Sequence, residues 1–366
     1  MNRVAAPLML AIGLLPLALS SCAVIPARLV QSHSLGGRDC PLEPSTMHGL
    51  LELALETPNS GESAHALGHF VEIWNEEKNG QLSAEVAPPS GEPAKTTYQV
   101  HFRTSGADRY DPAYFDEIKP AVDFQVKKID HHRRDGIGCP LKALRENTGR
   151  DPIESYYPPE AITREATAVI HPGPVRDGKQ SVEIELLCTL KHRDVTVLGK
   201  NEPLAADYSI ALAAMLERAK DLSKSEFADL LTPTPGRDPQ LYLMERYDPK
   251  KEPLIMIHGL LDSPLTWAEL TNTLRGNDEL RERYQIWHYL YNTSAPGLYS
   301  GRILRTQYRE LRRKLDPSLS DPAMQRTTLL THSMGGIVAR SLITDPGDAF
   351  WEAGFTRPLD TLVLSD

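Results

Sequence analysis

The spacing of apolar residues predicts two helices early in the chain and a β-rich region after them. The segments "HGLLELALE" and "AHALGHFVEIWNEE" repeat apolar residues every three to four positions, and the turn-rich "TPNSGES" separates them. From about residue 95 to 200, short β-branched runs are broken by Pro, Gly, Asp and Lys: "TTYQVHFRTS", "TREATAVIHP", "VEIELLCTL" and "DVTVLGK". This region predicts a small sheet within an accessory α+β domain.

Beyond the Pro-rich stretch "LTPTPGRDPQ" the pattern changes to alternating strands and helices. The helical pattern "AADYSIALAAMLERAKDL" precedes this stretch, and we place a domain boundary within it, between residues 235 and 236. Strand patterns ("EPLIMIHG", "YQIWHYLY", "RTTLLT") then alternate with helical ones ("SPLTWAELTNTLRG", "GLYSGRILRTQYRELRRKLD", "SMGGIVARSLITD"). Such alternation is typical of a parallel sheet with helices on both faces. The predicted fold class is therefore α/β, with an accessory α+β region over residues 22–235 preceding a parallel-sheet domain over residues 236–366.

The first residues predict a targeting signal. "MNRVAAPLMLAIGLLPLALSSC" has one basic residue and then an apolar run that ends in small residues, too short and Pro-interrupted for a membrane span. We interpret residues 1–21 as a signal peptide. "LSSC" resembles the lipobox of bacterial lipoproteins, and the resemblance implies acylation of Cys22 and anchoring in the cell envelope by lipid. An ordinary secretory signal is the alternative. Ala23 stands where an Asp retains such proteins at the inner membrane, so the outer membrane of a Gram-negative host is expected.

Export makes the other cysteines relevant. Cys188 lies in a strand-like run and is expected to be a small buried apolar residue. Cys40 and Cys139 each precede a proline in turn-rich sequence, and a disulfide between them is a candidate in an oxidising compartment. The 366 residues carry a net charge of −9 without a basic stripe, so nucleic-acid binding is not expected.

Two histidine pairs are candidate metal ligands. His65 and His69 are four residues apart, a spacing found in metal sites, but Ala66 stands where a zinc protease has its Glu and the sequence offers no evident third ligand. A surface or packing role is favoured. The adjacent His131 and His132 are interpreted as part of a solvated charged segment. No metal and no organic cofactor is implied.

The segment "LLTHSMGGIVAR" has the features of a serine nucleophile in a sharp strand-to-helix turn. The general pattern is G-x-S-x-G, in which small neighbours allow the strained turn. Here Ser333 is the candidate nucleophile, and Gly335, followed by Gly336, meets the demand for a small neighbour. Thr331 departs from the usual glycine. The side chain of His332 is expected to point away from the serine hydroxyl.

A second segment, "IMIHGLLDSP", predicts the oxyanion-binding loop. A strand ends at His258 and Gly259, and the loop then exposes backbone amides near Leu260. The N–H groups of Leu260 and Met334 are the predicted donors to the oxyanion, and one such donor is typically worth about 10²–10³ in rate. Gly259 leaves room for the loop, and His258 is expected to organise it rather than to act as the base.

Together with "HYLYNTSAPGLYSG", these motifs resemble the lipase and esterase branch of the α/β-hydrolase superfamily, including lecithin–cholesterol-acyltransferase-like lipases. The resemblance covers roughly residues 240–345 and implies a parallel-sheet α/β-hydrolase core. In that family an acid and then a histidine follow the serine. Asp345, Asp348, Asp360 and Asp366 follow Ser333, but no histidine does. We therefore expect the sequence to be C-terminally incomplete.

The predicted function is that of a lipid-anchored serine hydrolase. Its substrate would be a carboxylic ester, with lipid esters included, and Ser333 would attack it to form an acyl-enzyme. Two alternatives stay open: an acyltransferase, in which an alcohol captures the acyl group, and a non-catalytic envelope lipoprotein with a degenerate hydrolase domain. The sequence does not determine the acyl-chain preference or the oligomeric state.

Overall fold

The computed structural model describes residues 28–31, 46–56, 60–78, 80–91, 96–106, 109–218, 239–345, 347–358 and 361. The strands are β1 (Arg28–Gln31), β2 (Ser83–Val86), β3 (Thr97–Phe102), β4 (Arg109–Tyr110), β5 (Glu117–Pro120), β6 (Phe124–Lys127), β7 (Arg133–Arg134), β8 (Cys139–Arg145), β9 (Ile162–Arg176), β10 (Lys179–Cys188), β11 (Asp194–Val197), β12 (Lys200–Pro203), β13 (Ala206–Asp207), β14 (Gln240–Leu243), β15 (Glu252–Ile257), β16 (Tyr284–Leu290) and β17 (Thr328–Thr331). The α-helices are α1 (Met47–Glu56), α2 (Gly61–Glu77), α3 (Ile210–Arg218), α4 (Ala268–Gly276), α5 (Asp278–Arg283), α6 (Gly297–Leu315), α7 (Pro322–Gln325), α8 (Gly335–Ile343) and α9 (Ala349–Gly354). None of the described helices has the length and apolar character needed to cross a membrane.

The larger sheet is rich in antiparallel pairs. Its seven strands run in the order β2-β3-β10-β9-β8-β5, with β4 paired to β10. Within this sheet the pair β3 and β10 is parallel, and the other pairs are antiparallel. Its centre is the long hairpin of β9 and β10, so most of its contacts join strands that are close in sequence.

The predicted fold class is wrong. The chain has a mixed α/β fold in which the larger sheet lies in the region predicted to be a small accessory domain, and the described residues show no clear parallel-sheet hydrolase core. The alternating pattern is limited to residues 252–343, where β15, β16 and β17 are mutually parallel, whereas β14 runs antiparallel to β16. Hydrophobic pattern predicts which segments become strands, but strand direction depends on the pairing partner, which lies elsewhere in the chain.

Most individual elements match the predictions. The two early helices are α1 and α2, and the four β-branched runs contain β3, β9, β10 and β11. The predicted helix after them is α3, which begins at Ile210 rather than at residue 205. The segment from residue 264 begins with a 3₁₀ turn before α4. Strand β14 was not predicted. The boundary placed between residues 235 and 236 lies outside the described residues and stays a prediction.

Tight hairpin turns explain why β9 and β10 pair as they do. Asp177 and Gly178 connect the two strands with φ angles of 50° and 74°. Two successive positive φ angles define a turn whose twist matches that of antiparallel strands, and Asp-Gly is a favoured sequence for it. Leu198 and Gly199 form an equivalent two-residue connection between β11 and β12, with φ angles of 50° and 77°.

The smaller sheet, in the order β14-β16-β15-β17, is buried on both faces at its centre. All six residues of β15 are buried. Ile255 and Ile257 pack towards α6 and α8, in a cluster that also contains Tyr156 and Tyr157. Leu254 and Met256 pack in a second cluster together with four residues of α3, which are Leu212, Ala213, Met215 and Leu216. Residues from the region predicted to be a separate domain therefore cover both faces of the smaller sheet.

A buried ion pair joins the two sheets. The guanidinium of Arg275 on α4 lies 2.6 Å from the carboxylate of Glu165 on β9, and both side chains are at most 3% exposed. Arg275 also donates a hydrogen bond to the carbonyl of Met244. Burial raises the pKa of Glu165, so its carboxylate depends on the neighbouring cation for its charge.

We predict that Arg275→Met destabilises the protein by roughly 3–5 kcal/mol, because it leaves the carboxyl group of Glu165 buried without its cation. The measurement is urea-induced unfolding at pH 7. Arg193→Met is the matched control, since Arg193 pairs with Asp278 and Glu282 of α5 at the solvent-exposed surface and its loss should have a much smaller effect on stability. Equal destabilisation by the two substitutions would contradict the prediction.

Candidate functional site

The pairing register of β15 and β17 brings the two sequence motifs together. In this parallel pair Ile257 lies opposite Thr331, the last residue of β17. The chain therefore leaves the two strands side by side, with His258 and Gly259 following one strand and His332 and Ser333 following the other. The backbone N–H of His332 also donates to the carbonyl of Ile257, at 3.1 Å, and extends the pairing by one residue.

Ser333 lies in a strained turn between β17 and α8. Its φ angle is 50°, in the left-handed region that non-glycine residues rarely adopt. The turn is held by hydrogen bonds from the N–H of Gly335 to the carbonyl of His332 and from the N–H of Gly336 to the carbonyl of Ser333, both 2.9 Å long. An exposed serine at this position is the geometry that the sequence motif predicts.

Glycine is required at position 335 by close backbone contacts. A Cβ atom there would lie 2.4 Å from the carbonyl oxygen of Ile257 and 2.7 Å from that of His258. Position 336 is different, because a Cβ atom there would make an ordinary contact of 3.7 Å with Oγ1 of Thr331. The predicted demand for a small residue therefore applies to Gly335 rather than to Gly336.

The loop after β15 lies directly against the serine turn. A Cβ atom on Gly259 would lie 3.1 Å from Cβ of Ser333, so the absence of a side chain leaves space beside the serine. The next residues, Leu260 and Leu261, are about half exposed, and Leu261 has a φ angle of 59°. Among the described residues, no acceptor takes a hydrogen bond from the N–H of Leu260 or of Met334. These two amides, predicted as the oxyanion donors, thus remain available to a ligand.

His258 is buried and supports the loop. Its Nδ1 lies 3.1 Å from the carbonyl oxygen of Gly259, and its Nε2 accepts a hydrogen bond from the N–H of Tyr291 at 3.3 Å. The hydroxyl of Tyr291 donates to the carbonyl of His258 at 2.7 Å, and the two rings stack. Burial lowers the pKa of His258 to about 4. A neutral ring with both nitrogens engaged has the features of a loop-organising residue rather than of a base.

Among the described residues, no histidine lies in hydrogen-bonding contact with the serine hydroxyl. His332 is mostly exposed, and its Nδ1 lies 3.8 Å from a carboxylate oxygen of Asp262. Within the described part of the chain, Ser333 Oγ forms no side-chain hydrogen bond. Of the acidic residues that follow the serine, Asp345 lines the same cleft, Asp348 precedes α9, and Asp360 and Asp366 lie outside the described residues.

Ser333 lies in a cleft of about 1240 Å³ between α6 and α8. The two helices approach closely because Gly301 has no side chain: a Cβ atom there would lie 1.9 Å from Oγ of Ser341. Exposed apolar side chains of Leu298, Ile337 and Ile343 line the cleft. Four arginines also line it, namely Arg302, Arg305, Arg309 and Arg340. Sequence reasoning missed these arginines, although three of them repeat on α6 at positions 302, 305 and 309, which is the spacing of one helix face.

The structure describes two of the four cysteines, Cys139 and Cys188. Cys188 is buried in β10, as its sequence context predicts. Cys139 is a buried free thiol whose pKa is raised to about 12, mainly by burial. Cys22 and Cys40 lie outside the described residues, so the lipid anchor and the disulfide stay predictions.

We predict that His258 makes the stability of the protein depend on pH below neutrality. Its folded-state pKa of about 4 is lower than the ordinary value of 6.5, so its contribution to stability is full above pH 6.5 and is lost as pH falls towards 4. Between pH 7 and pH 4.5 this loss amounts to about 2 kcal/mol.

The comparison that isolates His258 is between the wild type and His258→Gln, with unfolding free energies measured at both pH values. Glutamine retains polar atoms but does not titrate, so the variant should be less stable at pH 7 and should lose about 2 kcal/mol less on acidification. His288, which is also buried and has its pKa lowered to about 3, is unchanged in both proteins. Parallel pH profiles would show that His258 is not responsible.

Comparison with protein-family models, with curated proteins and with solved structures finds no match to this chain. The site is therefore interpreted from its own geometry: a strained, exposed serine, two available amides, and a cleft that is both apolar and basic.

Proposed function

We propose that this protein is a lipid-anchored serine hydrolase that cleaves carboxylic esters through an acyl-enzyme on Ser333. The observation that carries the proposal is the position of Ser333, held with a φ angle of 50° beside Gly259. Strained backbone at an exposed nucleophile is characteristic of functional sites. The paired strand ends and the close approach of Gly335 to the carbonyls of Ile257 and His258 hold the turn in this conformation.

The proposed chemistry uses the serine and the two backbone amides. Oγ of Ser333 attacks the acyl carbon, and the N–H groups of Leu260 and Met334 stabilise the negative charge that develops on the carbonyl oxygen. Met334 is the N-cap residue of α8, and the partial positive charge of this helix terminus favours an anion. The C–O bond of the ester then breaks, and the alcohol leaves with the proton that Oγ gave up through a general base. Water hydrolyses the acyl-enzyme to the free acid and restores the serine hydroxyl. Among the described residues, no histidine is hydrogen-bonded to Oγ of Ser333, and no residue is assigned as the general base.

The cleft supports a substrate with both an acyl chain and an anionic group. Leu298, Ile337 and Ile343 offer apolar surface near the serine, and Arg302 and Arg340 carry exposed positive charge. Guanidinium groups pair well with carboxylates and phosphates. We infer that esters of acidic lipids or of similar acidic compounds are preferred over neutral esters.

We predict that a fluorophosphonate probe labels Ser333 in the full-length protein. The adduct should lie on the tryptic peptide spanning residues 327–340, because Arg326 and Arg340 flank it. Labelling should be abolished in Ser333→Ala and retained in Ser341→Ala, a matched control because Ser341 lines the same cleft. Mass spectrometry of the digested protein gives the readout.

A missing adduct in the full-length protein, or one that persists in Ser333→Ala, would refute the serine hydrolase. The non-catalytic lipoprotein would then be the better interpretation. If labelling succeeds, product analysis in the presence of an added alcohol separates the hydrolase from the acyltransferase, since transfer yields a new ester in place of the free acid.

The preference for acidic esters has its own test. The double substitution Arg302→Gln and Arg340→Gln should raise KM for an ester that carries a carboxylate about fivefold to tenfold, through the loss of exposed charge-assisted contacts. KM for a neutral ester of equal length should not change. Arg313→Gln is the control, because Arg313 lies on α6 but does not line the cleft. Equal effects on both esters would contradict the preference.

A further inference from the structure

Two histidines and an aspartate converge on one point far from the serine site in the sequence. His65 and His69 lie one turn apart on α2, and Asp123 ends the 3₁₀ turn Ala121–Asp123 between β5 and β6. Nε2 of His65 is 2.7 Å from Oδ1 of Asp123 and 3.0 Å from Nε2 of His69. Nε2 of His69 is 3.3 Å from Oδ2 of Asp123. Each residue offers one ligand atom, and these atoms lie within 4.8 Å of one another.

The close approach of α2 to the sheet places the histidines over the aspartate. Gly68, between the two histidines, has no side chain, and a Cβ atom there would lie 2.6 Å from Sγ of Cys139 and 3.0 Å from Cβ of Pro120. Pro120 ends β5 and immediately precedes the turn that contains Asp123. A larger residue at position 68 would push the helix away and separate the three side chains.

A fourth residue orients the histidine ring as it does in metal sites. Nδ1 of His69 lies 2.9 Å from Oε2 of Glu72, one turn further along α2. When Nδ1 donates its hydrogen to this carboxylate, Nε2 carries a lone pair directed at His65 and Asp123. A carboxylate that holds the non-ligating nitrogen of a histidine is the usual support for a metal ligand.

The three side chains direct polar atoms at one point. Each imidazole Nε2 and each carboxylate oxygen can act as an electron-pair donor to a metal, and the short distances among them bring these atoms together. One cation placed between them could therefore be bound by all three side chains at once.

We propose that His65, His69 and Asp123 bind one Zn²⁺ ion, with Glu72 as the positioning residue for His69. Zinc accepts imidazole nitrogen and carboxylate oxygen at about 2.0–2.2 Å in tetrahedral geometry, which places neighbouring ligand atoms about 3.3 Å apart. Nε2 of His65 lies 3.0 Å from Nε2 of His69, and the two nitrogens lie 2.7 Å from Oδ1 and 3.3 Å from Oδ2 of Asp123, so the ligand atoms need to separate by only a few tenths of an ångström to surround the ion. The charges of Asp123 and Glu72 together balance that of the ion.

Three protein ligands leave the fourth position of the zinc open. The ligand side chains are 23–29% exposed, so water can reach the ion from outside. The ion would link α2 to the connection between β5 and β6. Its ligands His65 and Asp123 are 58 residues apart in the chain. The proposal does not depend on the hydrolase activity, because none of these residues lines the cleft of Ser333.

Zinc binding to the full chain is the test. After removal of metal with a chelator, equilibrium dialysis against micromolar Zn²⁺ should leave one equivalent bound, and Co²⁺ in its place should show the visible absorption of tetrahedral coordination. Zinc should also raise Tm of the wild type. His69→Gln and Asp123→Asn should each abolish stoichiometric binding, whereas Glu72→Gln should weaken it about 10–100-fold.

His101→Gln is the matched control. His101 is an exposed histidine that hydrogen-bonds to Ser83 and is not part of the cluster, so its loss should leave zinc affinity unchanged. Less than one equivalent bound to the wild type would overturn the proposal even if the ligand variants failed to fold. Equal binding by the wild type, His69→Gln and Asp123→Asn would overturn it as well, and would identify the cluster as an ion pair without a metal.

Discussion

The parallel pairing of β15 with β17 is the constraint on which the serine site depends. Because Ile257 is opposite Thr331, the residues that follow each strand leave the sheet at the same edge and in contact. The close approach of Gly335 to the carbonyls of Ile257 and His258 then leaves no room for a side chain and holds the turn in its strained form. A shift of the register by one residue would turn every side chain of β17 to the opposite face and would separate Ser333 from Gly259.

The same pairing depends on burial from the rest of the chain. β15 has apolar side chains on both faces, and a strand of this kind is stable only when both faces are covered. Helices α6 and α8 cover one face, and α3, which follows the antiparallel-rich region, covers the other. The buried pair of Glu165 and Arg275 adds a polar link between the two sheets. The antiparallel-rich region and the region of the smaller sheet thus pack together, and residues from both regions support the turn at Ser333.

Both proposed sites form where the backbone of one segment lies unusually close to a neighbouring segment. At the serine site, Gly335 and Gly259 let two loops touch, and at the proposed zinc site Gly68 lets α2 lie against Pro120 and Cys139. In each case the glycine lacks a side chain where the neighbour is closest, and a residue with a proposed chemical role lies within two residues of it in the sequence. Three of the four arginines of the cleft follow a different rule, since α6 places Arg302, Arg305 and Arg309 on one face through its helical period.

The sequence alone determined the local features. Helical and strand periods located α1, α2, β9, β10 and most other elements, because these periods depend on residues that are near one another. The motif around Ser333 likewise predicted a sharp turn after a strand, which is what the structure has.

Features that depend on contacts between residues far apart in the sequence were decided only by the tertiary structure. The direction of the strands, and hence the mixed and largely antiparallel fold, follows from pairings that local pattern does not encode. Asp123 could not be recognised as a third partner of His65 and His69, because 54 to 58 residues separate them and their contact depends on how α2 packs on β5. Sequence records which side chains are present, whereas packing determines which of them meet.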